Sequence, residues 1–472
     1  MAGINTAGRP TLSQRRSRMS QLGEEELDNL AFRPNIVPSL SSGRNDSIAS
    51  QTESEVELNK RSRVVPEPGP PPNGGLKAWQ QVLGAFFLNF NTWGLVNTFG
   101  IFQDYYATGA VFPASQSAIA WLGSIQGFLM LTIGVLCGRA IDAGYLRINL
   151  TAGITTTVFG MMMVSISREY WQFILTQGVV AGLGSGATFI PSVTVVGTYF
   201  STRRSLAIGV ATTGSSIGGI VYPFVLRRLI AKIGFGWAVR VMAFIMLATL
   251  LISLSVMRSR LPPRKSGPIV DFSAFRDPAY SIFLASVLIT YTGLYVPFFY
   301  VESYATSIGI SGDVAFDMLI IMNAASVVGR LLPPFFADRT GNLAMLIPCT
   351  FFSAIIILAW IRVSSQEGLI AISVMYGFIS GSIQAVVPAT VAFLCPDLSK
   401  YGTRLGMTLA IGGGLGLLVG APIAGAILDT QSSADHQEYW GLLVFSGTLV
   451  FLGALLQLTV RVLKVGWSLE KA

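Results

Sequence analysis

Charge is scarce in this chain. Lys, Arg, Asp and Glu make up 12% of its 472 residues, against about 25% in soluble domains. There is one histidine, His436, and there are three widely spaced cysteines, Cys137, Cys349 and Cys395. That scarcity argues against a zinc cluster, a disulfide framework and a membrane enzyme built on several histidines or paired acids. No metal, cofactor or catalytic residue is expected. The N-terminal stretch lacks the apolar run of a signal peptide.

Apolar residues are abundant instead, at 51% with a mean hydropathy of +0.59. A water-facing surface leaves no room to hide so much apolar area, whereas lipid removes the difficulty. Residues 1–76 differ, being rich in Ser, Arg, Glu, Asn and Pro, and read as a disordered cytosolic tail. From Ala78 onward, apolar runs of about 20 residues recur, each long enough to cross the hydrocarbon. The predicted spans are 78–100, 117–137, 146–166, 171–197, 205–226, 236–257, 279–302, 314–334, 343–363, 368–392, 404–428 and 439–463. They predict an all-α polytopic membrane protein of twelve helices.

The net charge of +8 reads as topology rather than as a nucleic-acid footprint. Arg139, Arg147, Arg203, Arg204, Arg258, Arg260, Arg264, Lys265, Arg276, Arg339, Lys400, Arg404, Lys464 and Lys471 all fall on one side. The opposite loops after spans 1, 7 and 11 carry no Lys or Arg. Positive residues stay inside, so both termini are expected in the cytosol. Arg227, Arg228 and Lys232 run against this pattern, in a predicted outer loop after span 5.

The chain repeats itself weakly at an offset of roughly 200 residues, as parallel six-span halves do. GRAIDAGYLR follows span 2, with Gly138, Asp142 and Arg147. PFFADRTG follows span 8, with Asp338 and Arg339. In each, a helix breaker (Gly138 or Pro334) precedes the Asp by four positions. These two segments are candidate gating loops, the plain alternative being positive-inside turns. RRSLAIG opening span 5 and TRLGMTLAIGGG opening span 11 form a second pair. The division is thus tail 1–76, first bundle 77–257, linker 258–278, second bundle 279–463 and tail 464–472.

Glycine is frequent inside spans, where it lets helices approach closely. Gly182, Gly184 and Gly186 imitate a nucleotide loop, and Gly214-Ser215-Ser216-Ile217-Gly218 imitates a nucleophile elbow. Neither has the strand that such a motif needs, so both read as packing.

Polar residues inside spans are the better functional pointers, because lipid makes them costly. Asn89, Trp93 and Asn97 share a face of span 1, and Tyr291, Tyr295, Phe298 and Glu302 share one of span 7. Asn323, Ser326 and Arg330 share a face of span 8, with Gln126 and Gln384 in spans 2 and 10. Arg330 is the strong charge inside a span and suits a carboxylate. Its plain alternative is to snorkel to the nearby cytosolic end.

PNGGLKAW (72–79), YFSTRRSLAIGVATTGSSIGG (199–219) and NAASVVGRLLPPFFADRTG (323–341) resemble the monocarboxylate transporter-like branch of the major facilitator superfamily, in its fungal form. The resemblance covers roughly residues 72–465. It implies two six-helix bundles, a central cavity and alternating access. In its proton-coupled members, a span 1 Lys and a span 8 Asp–Arg pair handle proton and carboxylate. Here the Lys position falls on Asn97 and the Asp position on Ser326, while the Arg is kept as Arg330.

The expected function is secondary transport of a small organic solute, an organic acid or fungal secondary metabolite, with export favoured. Proton-linked or facilitative uptake of a monocarboxylate or vitamin is the alternative, with Glu302 a weak proton-site candidate. The candidate substrate residues are Arg330, Asn97, Asn323, Ser326, Gln126, Gln384, Tyr291 and Tyr295. The expected partners are the solute, with an anion as one option, and the lipid bilayer, without nucleic acid, the protein being a monomer or weak oligomer. The expected site is the plasma membrane, the vacuolar membrane being the alternative.

Overall fold

Lipid supplies no hydrogen-bond partner to the backbone, so a chain this apolar must close its amides on themselves. The computed structural model describes residues 71–201, 204–262, 270–395, 400–431 and 438–466, without the side chains of Asp142, Arg204, Ser205 and Asp338. Every regular element among them is helical. Arg203, Arg264, Lys265, His436 and Lys471 lie outside the described residues, as does the tail up to residue 70.

Twelve rods follow one another. They are α1 (75–107), α2 (Gln116–Asp142), α3 (Leu146–Val164), α4 (Tyr170–Tyr199), α5 (204–233) and α6 (235–256). Then come α7 (Pro278–Ser307), α8 (312–340), α9 (Asn342–Trp360), α10 (Gln366–Leu394), α11 (Tyr401–Gln431) and α12 (Trp440–Val465). Among the described residues, nine helices are long and apolar enough to cross a membrane. One of these, Arg204–Val256, holds α5 and α6 together, broken at Gly234 (φ 77°). α1 falls short by being cut into Gly75–Asn91, Trp93–Asn97 and Phe99–Ala107, and α3 by its Arg147, Asn149 and threonines.

Two expected boundaries move. The backbone N–H of Asn73 donates to the Tyr199 carbonyl, and Asn73 Oδ1 accepts from the Ser201 N–H at 2.6 Å. The bundle therefore starts before residue 77, because this Asn pins the chain to the end of α4. Arg227, Arg228 and Lys232 are helical rather than in a loop. Only one residue separates α5 from α6, and Arg227 extends sideways to form an ion pair with Asp313 (2.7 Å).

The repeat appears in the packing. A Cβ on Gly214 or Gly218 of α5 would strike the carbonyls of Phe86 or Phe90 of α1. A Cβ on Gly416 or Gly420 of α11 would strike those of Leu288 or Thr292 of α7. Each residue of the second quartet stands 202 positions after its counterpart (86 to 288, 90 to 292, 214 to 416, 218 to 420). Glycine at these sites allows backbone-to-backbone contact. The nucleotide-loop imitation packs too: a Cβ on Gly184 would meet Thr157 of α3.

Three rods, α1, α7 and α8, break along their length, and in α7 and α8 a side chain of another helix takes the freed carbonyl. Pro297 removes the amide that would serve the Gly293 carbonyl, which accepts the Ser446 hydroxyl of α12 instead (2.7 Å). Pro333 does the same to Gly329, whose carbonyl accepts Ser382 of α10 (3.1 Å). In α1 the Leu88 and Gly94 carbonyls keep the Thr92 and Thr98 amides and also accept those residues' hydroxyls.

The two ends of the bundle are tied differently. At the end away from Gly75, links cross between the first six rods and the last six. Arg227 pairs with Asp313, Asp429 accepts from the amides of Gln116 and Ser117, and Ser303 donates to Asp104. At the basic end, the links described stay within one half. There Arg404 of α11 pairs with Asp271, just before α7, at 3.1 Å. Both are buried. Bonds from Ser273 and Arg404 hold the Asp271 carboxyl below the usual carboxylate range.

Two outcomes test this packing. Gly218→Val and Gly420→Val should each lower the melting temperature strongly in detergent, at a cost of about 1–3 kcal/mol, while Gly402→Ala, facing open space, should not. Asp271→Asn strands a buried guanidinium and should cost about 3 kcal/mol at neutral pH. In the unmutated protein that contribution, being tied to a lowered carboxyl pKa, should persist above about pH 4 and fade as acid titrates Asp271. Equal thermal unfolding of Asp271→Asn and the parent at pH 7 would refute the second expectation.

Candidate functional site

The pseudo-repeat brings its own equivalent residues together at the centre. Trp93 in α1 and Tyr295 in α7 are 202 positions apart and stack with ring centroids 5.7 Å apart at 16°. Each sits at a helix break. Phe189 of α4 meets the edge of Trp93, and Tyr291 and Phe298 flank Tyr295 at 6.0 Å each. Interrupted helices in matching positions of two halves are where transporters of repeated architecture bind solute.

Arg330 stands at the break of α8, capping Gly312–Gly329 at the Arg330–Leu331 turn that precedes the Pro333–Pro334 helix start. It does not snorkel. The residue is 4% exposed, and its side chain runs inward to two neutral groups. Nε donates to Ser216 Oγ of α5 at 3.1 Å, and Nη2 donates to Gln384 Oε1 of α10 at 2.6 Å. Ser216 in turn shares a hydrogen bond with Ser326 at 2.5 Å. The ion pairs described join Arg227 to Asp313, Arg404 and Lys400 to Asp271, and Lys464 to Asp277, none of them involving Arg330. Among the described residues, the phenols of Tyr291 and Tyr295 act electrostatically on its guanidinium.

The predicted polar residues share a second property. Asn97 Oδ1, Gln126 Nε2, Tyr295 Oη, Asn323 Oδ1 and Gln384 Nε2 are buried with no hydrogen-bond partner in the protein. A buried polar atom left in that state costs about 1–3 kcal/mol, and two of these, Tyr295 Oη and Gln384 Nε2, belong to residues in the Arg330 cluster, which points to a place for a ligand or water. Asn323 Oδ1 faces α5 where a Cβ on Gly219 would collide with it, so glycine there keeps the amide in place.

The structure brings Arg330, Ser326, Gln384, Tyr291 and Tyr295 into one cluster. Asn323 lies two turns before Arg330 on α8, and Asn97 one turn from Trp93. Gln126 packs its Cα on Gly182 of α4, and among the described residues no hydrogen bond joins it to the cluster. Glu302 lies two helical turns beyond Tyr295, about 10 Å along the axis, in the segment whose Ser303 bonds Asp104. Sequence reasoning missed Ser216. Its glycine neighbours do serve packing, as expected, but the serine between them reaches Arg330 from the other half.

Among the gating candidates, Gly138 does not break α2, which continues to Asp142. The turns come later, at Gly144 (φ 93°) and Gly341 (φ 102°). Arg147 is exposed, and Arg339 lies over the Phe335 ring at 4.8 Å. The carboxylates of Asp142 and Asp338 lie outside the described side chains.

Comparison with known proteins agrees with this architecture. The MFS-type transporter dbaD of Emericella nidulans is 43% identical over 376 residues, covering 79% of this chain and 84% of that one. The aspyridones efflux protein apdF of the same organism is 36% identical over 396 residues, covering 83% and 79%. The crystal structure of the nucleoside transporter NupG shares the fold, with a TM-score of 0.63 at 13% identity over 82% of this chain and 99% of that one. Residues 82–367 match the profile of the Major Facilitator Superfamily. With twelve rods in two repeated halves and breaks meeting at the centre, this multi-pass membrane transporter belongs to the Major Facilitator Superfamily.

Proposed function

We propose that this chain exports a small organic monoanion, an organic acid of fungal secondary metabolism, and that Arg330 binds its carboxylate. The observation that carries the reading is a buried guanidinium whose partners are all neutral. A buried cation favours a counter-charge, and a transported acid supplies one. The Trp93–Tyr295 stack offers a flat apolar face beside it, which suits a conjugated or aromatic body. The free amide and phenol atoms of Asn97, Asn323, Gln384 and Tyr295 suit its polar substituents.

Export is supported by the efflux role in the name of one relative. In this reading the basic end faces the cytosol and the membrane is the plasma membrane. The cross-half ties then seal the outer end, with substrate entering from inside. The monocarboxylate porter-like branch is the subgroup that the retained Arg330 favours.

The test is counterflow in liposomes with a labelled panel of short monocarboxylates, riboflavin and p-aminohippurate, an aromatic amide acid. Arg330→Ala should lower uptake of the accepted acid by about 10- to 100-fold, the loss of a charged hydrogen bond or two. Arg330→Lys should not restore it, because an ammonium cannot present a planar fork. Unchanged uptake of every acid by folded Arg330→Ala protein would overturn the proposal.

A further inference from the structure

The third and sixth rods of each half lie side by side, and the two halves treat that seam differently. Between α9 and α12 it is closed. Leu358 of α9 fills the space beside Gly447 of α12, where a Cβ would come within 2.7 Å of it, and Phe351 meets Phe451 with ring centroids 5.6 Å apart. Between α3 and α6 the seam is open. It forms a groove of about 300 Å³, walled by Ile154, Val158 and Phe159 of α3 and by Leu247, Leu251 and Leu254 of α6. Phe159 and Leu251 are exposed, so the groove opens toward the acyl chains of the bilayer.

The groove is not purely apolar. Thr151 and Thr155 also line it, one helical turn apart and both exposed. A threonine in a membrane helix ordinarily returns its hydroxyl to a carbonyl of the preceding turn, as Thr157 of the same helix does to Gly153 at 2.8 Å. Among the described residues, the hydroxyls of Thr151 and Thr155 have no hydrogen-bond partner. Two donors in a hydrocarbon-facing groove call for an acceptor from outside the protein.

Charge marks one end of the groove. Arg147 stands one turn before Thr151 and is exposed. Arg258 follows α6 at the same end, extends its 247, 251, 254 spacing and is also exposed. Its backbone is held there, the amide donating to Gln81 Oε1 at 2.8 Å and the carbonyl accepting the Tyr199 hydroxyl at 3.2 Å. Arg147 lies twelve positions before Phe159, about 18 Å along a helix. One leaflet contributes roughly 15 Å to the hydrocarbon core. Cations, hydroxyls and apolar walls thus follow the order of phosphate, ester and acyl chain in a phospholipid.

We infer that the α3–α6 groove binds one anionic phospholipid from the leaflet at the basic end. Its phosphate lies against Arg147 and Arg258, its ester oxygens accept from Thr151 and Thr155, and one acyl chain runs between Val158 and Leu247. Two arginines favour an anionic head over a zwitterionic one, whose own ammonium competes for the phosphate. A sterol would suit the walls but would offer the arginines nothing. This site is separate from Arg330 and from the transported solute.

The experiment uses the full chain, purified in mild detergent and mixed with equimolar dioleoylphosphatidylglycerol and dioleoylphosphatidylcholine, with retained lipid counted by native mass spectrometry. One phosphatidylglycerol should stay bound, preferred at least about tenfold over phosphatidylcholine. Arg147→Gln combined with Arg258→Gln should abolish that preference. Thr151→Val combined with Thr155→Val should lower occupancy about tenfold. Leu251→Trp, which fills the groove, should expel the lipid, whereas Ile355→Trp, at an exposed position of α9, should keep it. Equal retention of the two lipids by the unmutated protein would overturn the anionic assignment. Unchanged occupancy in folded Leu251→Trp, or in the threonine pair if that variant fails to fold, would overturn the groove. Displacement of phosphatidylglycerol by added ergosterol would give the groove to a sterol and overturn the phospholipid.

Discussion

Within lipid, a backbone carbonyl that loses its helical partner must find another in the protein. The structure turns on where that requirement is met. Pro297 and Pro333 free the carbonyls of Gly293 and Gly329, and serines on α12 and α10 take them. The breaks so repaired in α7 and α8, together with the interruptions of α1, lie beside the Trp93–Tyr295 stack and Arg330. Trp93, Tyr295 and Arg330 occupy the site because each stands at such a break.

Repetition then supplies the geometry around the breaks. Glycine pairs on α5 and α11 bring those helices against the α1 and α7 backbones in the same register, 202 residues apart. Close backbone contact of this kind makes each half rigid. The polar ties described between the halves lie at the end away from Gly75, through Arg227, Asp429 and Asp104. The Arg330–Ser216 bond also joins the two halves, so what binds Arg330 also bears on how α5 and α8 meet.

Much of this was legible in the sequence, for physical reasons. Apolar runs of bilayer length admit few other readings, and a buried Arg stands out because lipid tolerates it only with cause. Helical spacing and polarity single out Tyr291, Tyr295, Ser326, Gln384 and Arg330, and the structure places them together. What stayed hidden depended on contacts between distant segments. Ser216 sits among glycines that pack α5 on α1, and nothing local reveals that its other side meets α8. The positive cluster at Arg227 imitates a loop because charge breaks an apolar run. Yet Arg and Lys are sound helix formers, and Asp313 on α8 receives Arg227. Gly138 imitates a helix end for the converse reason, since glycine inside a packed span is tolerated and the turn waits for Gly144.

The proposed function turns on the central guanidinium, whose described partners are neutral and to which an organic anion is proposed to supply the counter-charge. Anion-dependent stability measures this directly, without requiring transport. Purified protein should melt at progressively higher temperature as p-aminohippurate rises, following the logarithmic stabilisation of a ligand that binds only the folded state. Arg330→Met should show no such rise. An equal rise in both proteins would place the anion elsewhere and contradict the account.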